Sequence, residues 1–210
     1  MAFRGRRKRT MCISVRSCYA LSNVFHVPFG PEKEFVKAFN LNWKLDVSHK
    51  IKAFGWRCFI NRLPTRDLLL IRGISLPSST VCVLCRTERE TLNHILFSCG
   101  VSAINWKEVA SWIGFIDSES DCIMSIFLRW NSFCKSNKVK FGREGSIWLA
   151  SFWAIWKLRN EIIFRNNTWN VFDTVWSIKA LLWRWSFIEK VTRTNYNFYE
   201  FSKSPLFYLS

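Results

Sequence analysis

Two cysteines stand two residues apart, Cys82 and Cys85; His94 follows after eight residues and Cys99 after four more. A Cys-x-x-Cys pair can clamp one ion from a tight turn. Thiolate and imidazole are the ligands Zn²⁺ prefers, and three sulfurs with one nitrogen complete a tetrahedron. A closed shell leaves no position for a reacting water, so the spacing predicts one structural zinc ion rather than a catalytic one, its binding free energy coupled to folding. Two other readings compete. The four residues could stand in chance register as buried side chains, or Cys82 and Cys85 could form a redox pair, although no βαβ pattern surrounds them. The compact placement of His94 and Cys99 favours the metal. His26, in an aromatic segment, and His49, beside Lys50, make no second site, and Cys12, Cys18, Cys58, Cys122 and Cys134 are scattered and read as free thiols.

The elements that must hold these ligands are helical. Thr91 can cap a short helix running through Cys99, with Leu92, Ile95, Leu96 and Phe97 to pack it down. Upstream, Glu32 to Lys44 reads as a short helix. Ile51, Phe54, Gly55, Cys58, Phe59 and Leu63 follow the spacing of one buried helical face, with Pro64 as the stop. Thr65 then caps a new helix with Asp67 in its first turn, an apolar face of Leu68, Leu69 and Ile71, and a stop at Arg72-Gly73. Pro77 to Ser79 is a loop. Helices are predicted over Ile104 to Ile113, Cys122 to Phe133, Ser146 to Arg165 and Val171 to Val191, with a polar connection over 131–145 and a break at Asn166-Asn167. Trp169, Trp176 and Trp183 recur every seven residues. Their partner positions Phe172, Lys179 and Ser186 do not sustain a second seam, so the pattern predicts an aromatic stripe packed on a neighbouring helix rather than a coiled coil.

Composition limits the partners. Against 15 Asp and Glu stand 31 Lys and Arg, a formal charge of +16, which attracts polyanions, RNA or DNA foremost; a basic surface without a dedicated ligand is the alternative. With 49% hydrophobic residues the chain can bury a core. The most apolar later stretch, Ile147 to Trp156, is too short for a bilayer span of about 20 residues, so no membrane role is expected. The basic tip at Arg4 to Arg9 reads first as a solvated, disordered terminus, and otherwise as a nuclear-import signal or phosphate-binding arm. No signal-peptide run follows it, so an intracellular protein in nucleus or cytoplasm is expected, the nucleus favoured.

Several of these segments together resemble a known family. Lys50-Ile-Lys-Ala-Phe-Gly-Trp-Arg57, Asn61-Arg-Leu-Pro-Thr-Arg-Asp67 and Arg72-Gly73, then Cys82-x-x-Cys85, Glu90-Thr91-x-x-His94, Cys99, Trp106 and Trp112-Ile-Gly114, are similar to the zinc-binding domain downstream of plant non-LTR reverse transcriptases. Ser14-Val-Arg-Ser-Cys-Tyr19 resembles the opening of that region, and Ile155-Trp-Lys-Leu-Arg-Asn160 with Ile162, Ile163 and Phe164 the helix preceding a ribonuclease H module. His49 departs from the proline usual there. The resemblance implies a retrotransposon-derived module that helps a reverse transcriptase engage template RNA or target DNA, with Cys82, Cys85, His94 and Cys99 as metal ligands. It implies basic positions at Arg57, Arg62, Arg66 and Arg72; with Lys50 and Lys52 these are the candidate nucleic-acid contacts.

Catalysis is not expected. Polymerase metals are held by clustered aspartates, whereas Asp46, Asp67, Asp117, Asp121 and Asp173 are dispersed, and beyond residue 170 only Asp173, Glu189 and Glu200 remain. The expectation is a mainly α fold around a small Cys3His zinc knot, with long C-terminal helices and no small-molecule substrate. It divides into a basic tip (1–13), a zinc-binding domain (14–116), a Trp-rich helical region (117–191) and a tail (192–210). A protein-interaction module using the Trp-rich helices, and a nonfunctional retroelement remnant, are the rival readings.

Overall fold

A computed structural model describes residues 32–74, 80–114, 123–137, 144–166, 168–185 and 197–205. The basic tip, the 14–19 segment and the Pro77–Ser79 loop lie outside the described residues. In chain order the helices are α1 (Glu32–Lys44), α2 (His49–Phe59), α3 (Arg66–Ile71), α4 (Gly100–Ile113), α5 (Ile123–Ser136), α6 (Glu144–Arg165), α7 (Val171–Trp183) and α8 (Phe198–Lys203). A single π-helical turn, His94–Ser98, precedes α4. Among the described residues there is no strand, only an isolated antiparallel bridge between Val81 and Arg89. The mainly α expectation holds.

Apolar residues on every side of α6 dictate its place. Ile147, Trp148, Leu149, Ala150, Phe152 and Ile155 are all at most 1% exposed, and a helix apolar all round must be covered all round. It is covered by α2, α4, α5, α7 and the π turn. Aromatic rings fill the contacts: Trp148 lies 4.8 Å from Phe127 and 5.6 Å from Phe59, and Phe152 lies 5.2 Å from Phe97 and 5.7 Å from Trp106, centroid to centroid. Such pairs add about 0.5–1.5 kcal/mol each beyond their buried area. Residues from both the 14–116 and 117–191 stretches share this core. At the crossing of α1, α2 and α6, Asn42 donates to the Lys52 carbonyl at 2.9 Å, and a Cβ on Gly55 would come within 2.7 Å of Leu149.

Several boundaries differ from the sequence expectation. α2 stops at Phe59, before Pro64, because the chain reverses through Asn61 at φ 49°; Leu63 is buried from the loop that follows, not from the helix. Thr65 caps α3 as expected, accepting from the Leu68 N–H at 3.2 Å. The apolar face of α3 is only partly buried, however: Leu68 and Leu69 are half-buried and Ile71 is exposed, since the short helix lies at the rim of the core. α4 begins at Gly100 rather than Ile104, because extended Cys99 caps it and accepts from the Ala103 N–H at 2.8 Å. α5 runs into the expected polar connection, where Ser132, Ser136 and Asn137 bond back to carbonyls four residues earlier while Cys134 is buried.

The stops at Gly73 and Gly114 fall where expected, both with positive φ, and Asn166 at φ 50° ends α6. The expected end of the last helix near Val191 lies outside the described residues. Of the predicted tryptophan stripe, Trp169 precedes α7, while the other two pack on α8: Trp176 and Trp183 meet Phe198 at 5.1 and 5.7 Å, and Trp183 meets Phe201 at 5.4 Å.

Candidate metal centre

Two backbone devices bring the four ligand residues together. The Val81–Arg89 bridge closes a knuckle in which the Cys82 N–H donates to the Glu88 carbonyl at 2.7 Å and the Arg86 N–H to the Cys82 carbonyl at 2.9 Å. Arg86 turns the chain at φ 61°. Opposite, the Thr91 hydroxyl accepts from the His94 N–H at 3.1 Å, and the Cys99 N–H reaches back five residues to the His94 carbonyl at 2.8 Å. That five-residue closure is the π turn, a wide turn frequently found at functional sites.

The Sγ atoms of Cys82, Cys85 and Cys99 and a ring nitrogen of His94 all lie within 4.8 Å of one another. Cys82, His94 and Cys99 are buried and Cys85 is half-buried. His94 Nε2 is 3.3 Å from Cys85 Sγ, while Nδ1 is 3.2 Å from a Glu88 carboxylate oxygen and 3.4 Å from the Ser98 hydroxyl. An Nδ1–H donated to Glu88 leaves the Nε2 lone pair facing the sulfurs, the tautomer a metal requires. With Zn–S near 2.3 Å and Zn–N near 2.0 Å, tetrahedral ligands stand roughly 3.5–3.8 Å apart. The donor set, its closeness and its burial fit one such ion.

Local hydrogen bonds favour thiolate at Cys99 and Cys85 but not at Cys82. Cys99 is held well below the ordinary thiol range, first because it accepts from Cys82, and despite its burial; the N–H groups of Ser102 and Val101 at the start of α4 reinforce this. The donor role in that same bond, together with burial, pushes the Cys82 thiol up. Burial also raises Cys85, but the Thr87 hydroxyl at 3.2 Å, the N–H groups of Glu88 and Thr87, and His94 outweigh it and leave the thiol below its usual value.

The centre is fastened to the helices by polar contacts. Glu90, fully buried, accepts from Arg159 of α6 at 2.5 Å and from the Arg66 N–H at 2.8 Å. Arg159 also donates to the Pro64 carbonyl at 3.3 Å. Arg66 donates to the Val81 carbonyl at 2.6 Å, next to Cys82, and Arg89 pairs with Asp67. On the far side the Trp106 indole donates to the Leu96 carbonyl at 2.6 Å.

The six basic candidates divide. Lys50, Arg57 and Arg66 line one groove of about 710 Å³ between α2, α3 and α6. Lys52 turns to the Trp43 carbonyl at the end of α1. Arg57 donates to the Arg62 carbonyl at 3.3 Å. Arg72 is held below the ordinary guanidinium value by partial burial and by the charges of Arg62 and Arg57. Sequence reasoning assigned no role to Glu88, Ser98, Lys157 or Trp153. It named Glu90 and Arg159 only as motif residues, since their partnership spans 69 positions.

A closed Cys3His cluster pinned to a helical core is the hallmark of a structural zinc-binding domain. Residues 14–106, a little under half of the chain, match the family described as zinc-binding in reverse transcriptase, in line with the resemblance and with zinc as the cofactor of the Cys3His cluster. A protein of Arabidopsis thaliana, named as a candidate ribonuclease H protein, is 31% identical over 96 residues. That alignment covers 46% of this chain and 15% of the relative, of which the chain therefore spans only a small part. No solved structure matches the chain. No helix among the described residues is long and apolar enough to cross a membrane.

Proposed function

We propose that the chain is a noncatalytic, zinc-binding, nucleic-acid-associated module derived from a plant non-LTR retrotransposon reverse transcriptase polyprotein. Cys82, Cys85, His94 and Cys99 hold one structural zinc ion. The observation that carries the reading is the donor cluster within 4.8 Å, its histidine oriented by Glu88, inside the stretch that matches the family. Bound zinc supplies a cross-link between the 82–85 knuckle and the start of α4. The chain's own residues supply the thiolates, the oriented imidazole and the polar ties to α3 and α6.

Nucleic-acid association draws on the charge of +16 and on Lys50, Arg57 and Arg66 lining one groove. The noncatalytic reading draws on the carboxylates. Among the described residues the Cys3His cluster is the one group of three or more His, Cys, Asp or Glu residues close enough to hold a metal. The division into a basic tip (1–13), a zinc-binding domain (14–116), a Trp-rich region (117–191) and a tail (192–210) is part of this reading; described residues of the last three share one core, Phe201 of the tail among them. We place the protein inside the cell, with the nucleus favoured over the cytoplasm.

One observation favours a second activity. Phe172 and Trp176 on α7 are 79% and 56% exposed, a surface suited to a protein partner. Salt separates the two. Binding of RNA or DNA through Lys and Arg falls steeply between about 50 and 200 mM salt, whereas an aromatic protein interface is little affected. A purified chain without salt-sensitive RNA or DNA binding would remove the nucleic-acid half of the proposal.

A further inference from the structure

We propose that the groove between α2, α3 and the C-terminal half of α6 is a contact site for single-stranded nucleic acid. Bases stack on Phe164, and phosphates sit against Lys50, Arg57 and Lys157. The inference rests on the nucleic-acid reading above and names the place and the strand state it requires.

The groove combines the two features that single-strand binding needs, a cationic track and an open aromatic face. Its volume is about 710 Å³, and among the described residues no acidic one lines it. Of its cations, Arg159 is committed to buried Glu90 and Arg66 to the Val81 carbonyl, so these two build the floor and wall. Lys50 and Arg57 face the groove two turns apart on α2, Arg57 also donating, in an exposed contact, to the Arg62 carbonyl at 3.3 Å. Lys157 stands across from them on α6; its side chain is 63% exposed, and its nearest carboxylate, Glu161, is 3.5 Å away in a surface pair that a phosphate can displace.

The rings are sorted in the same way. Trp156 is 7% exposed and covered by the Arg159 guanidinium at 4.8 Å, so it belongs to the floor. Trp153, half-buried, held edge-on by Phe54 at 5.0 Å and covered by the Lys50 ammonium at 5.3 Å, belongs to the wall. Phe164, at the end of α6, is 77% exposed. A ring so exposed at the rim of a cationic groove offers a stacking face at no cost in core packing. Bases in a duplex already stack on their neighbours, whereas unpaired bases have faces to offer. The aromatic lining therefore selects single strands, and the excess of positive charge selects a polyanion over a protein segment.

The test uses the full zinc-loaded chain and fluorescein-labelled 12-nucleotide uridine and thymidine strands, beside a duplex of the same length, at two salt concentrations. The single strands should bind more tightly than the duplex. Phe164→Ala, a surface change that leaves the core intact, should weaken single-strand binding about tenfold. Lys50→Gln with Lys157→Gln should lower the slope of log affinity against log salt by about two phosphate contacts. Lys33→Gln with Lys37→Gln on α1, outside the groove, should leave the Phe164 effect in place. If the wild type binds with steep salt dependence but the groove variants bind like wild type, the groove assignment falls and the nucleic-acid reading survives. Preference for the duplex overturns the strand state. Absence of salt-sensitive binding by the wild type overturns both.

Discussion

The segment from Thr80 to Cys99 and the helix α6 are neighbours built on opposite principles. In α6, cohesion comes from apolar mass: six residues between Ile147 and Ile155 are almost fully buried among aromatic rings. The 80–99 segment has one isolated bridge and one π turn, with residues 86–89 exposed. What holds it is polar: the clustered ligands, the Glu88–His94 contact and the Glu90–Arg159 pair. The contrast teaches that the two regions should fail under different insults. Loss of metal should release the knuckle while the aromatic core persists, and the buried ion pair is where one region leans on the other.

Zinc removal by a strong chelator should have the largest effect. Structural zinc sites contribute about 10–16 kcal/mol of apparent binding free energy in small peptides, far more than the 80–99 segment can gain from its few apolar contacts. Hydrogen exchange should show amides of residues 82–99 losing protection while those of 147–155 keep theirs. Equal loss in both would erase the distinction between the regions.

Next comes the tie between them. Arg159→Met leaves Glu90 buried without its cation and should destabilise the chain by about 3–5 kcal/mol in urea unfolding. Glu90→Gln added to Arg159→Met should recover much of that loss, since no buried charge then remains unpaired. A double variant as unstable as the single one would mean that Arg159 acts through packing alone. Glu88→Ala should weaken zinc affinity about tenfold in chelator competition, the lower end of the range for such orienting groups because Glu88 is 66% exposed. Urea stability of the zinc-saturated protein should barely change. Smallest is Thr65→Ala, which removes the α3 cap and should cost ~1 kcal/mol.

Local signals were readable in the sequence, and long-range ones were not. Glu32–Lys44, the caps at Thr65 and Thr91, and the stops at Gly73 and Gly114 are set by side chains acting within a turn of themselves. The cluster of Cys82, Cys85, His94 and Cys99 was legible because metal ligation demands specific residue types at short spacing. The early end of α2 hides behind a helical pattern that Leu63 continues by chance, because a left-handed Asn61 leaves no periodic trace. The apolar residues of α3 looked like a core face, but a helix of six residues at the rim has little to pack against. Glu88 and Ser98 gave no signal, since an acidic residue in a polar turn and a serine near a cysteine are ordinary. The groove escaped notice for a similar reason: it pairs cations of α2 with rings of α6, roughly a hundred positions apart.

The central claim is that one zinc ion, held by three cysteines and one histidine, organises this module. Metal analysis of the purified full chain tests it most directly, comparing wild type with the Cys85→Ser, His94→Ala double variant. The account predicts about one zinc per wild-type chain and none in the variant. Full zinc retention by the variant, or a wild type that takes up no zinc, would contradict it.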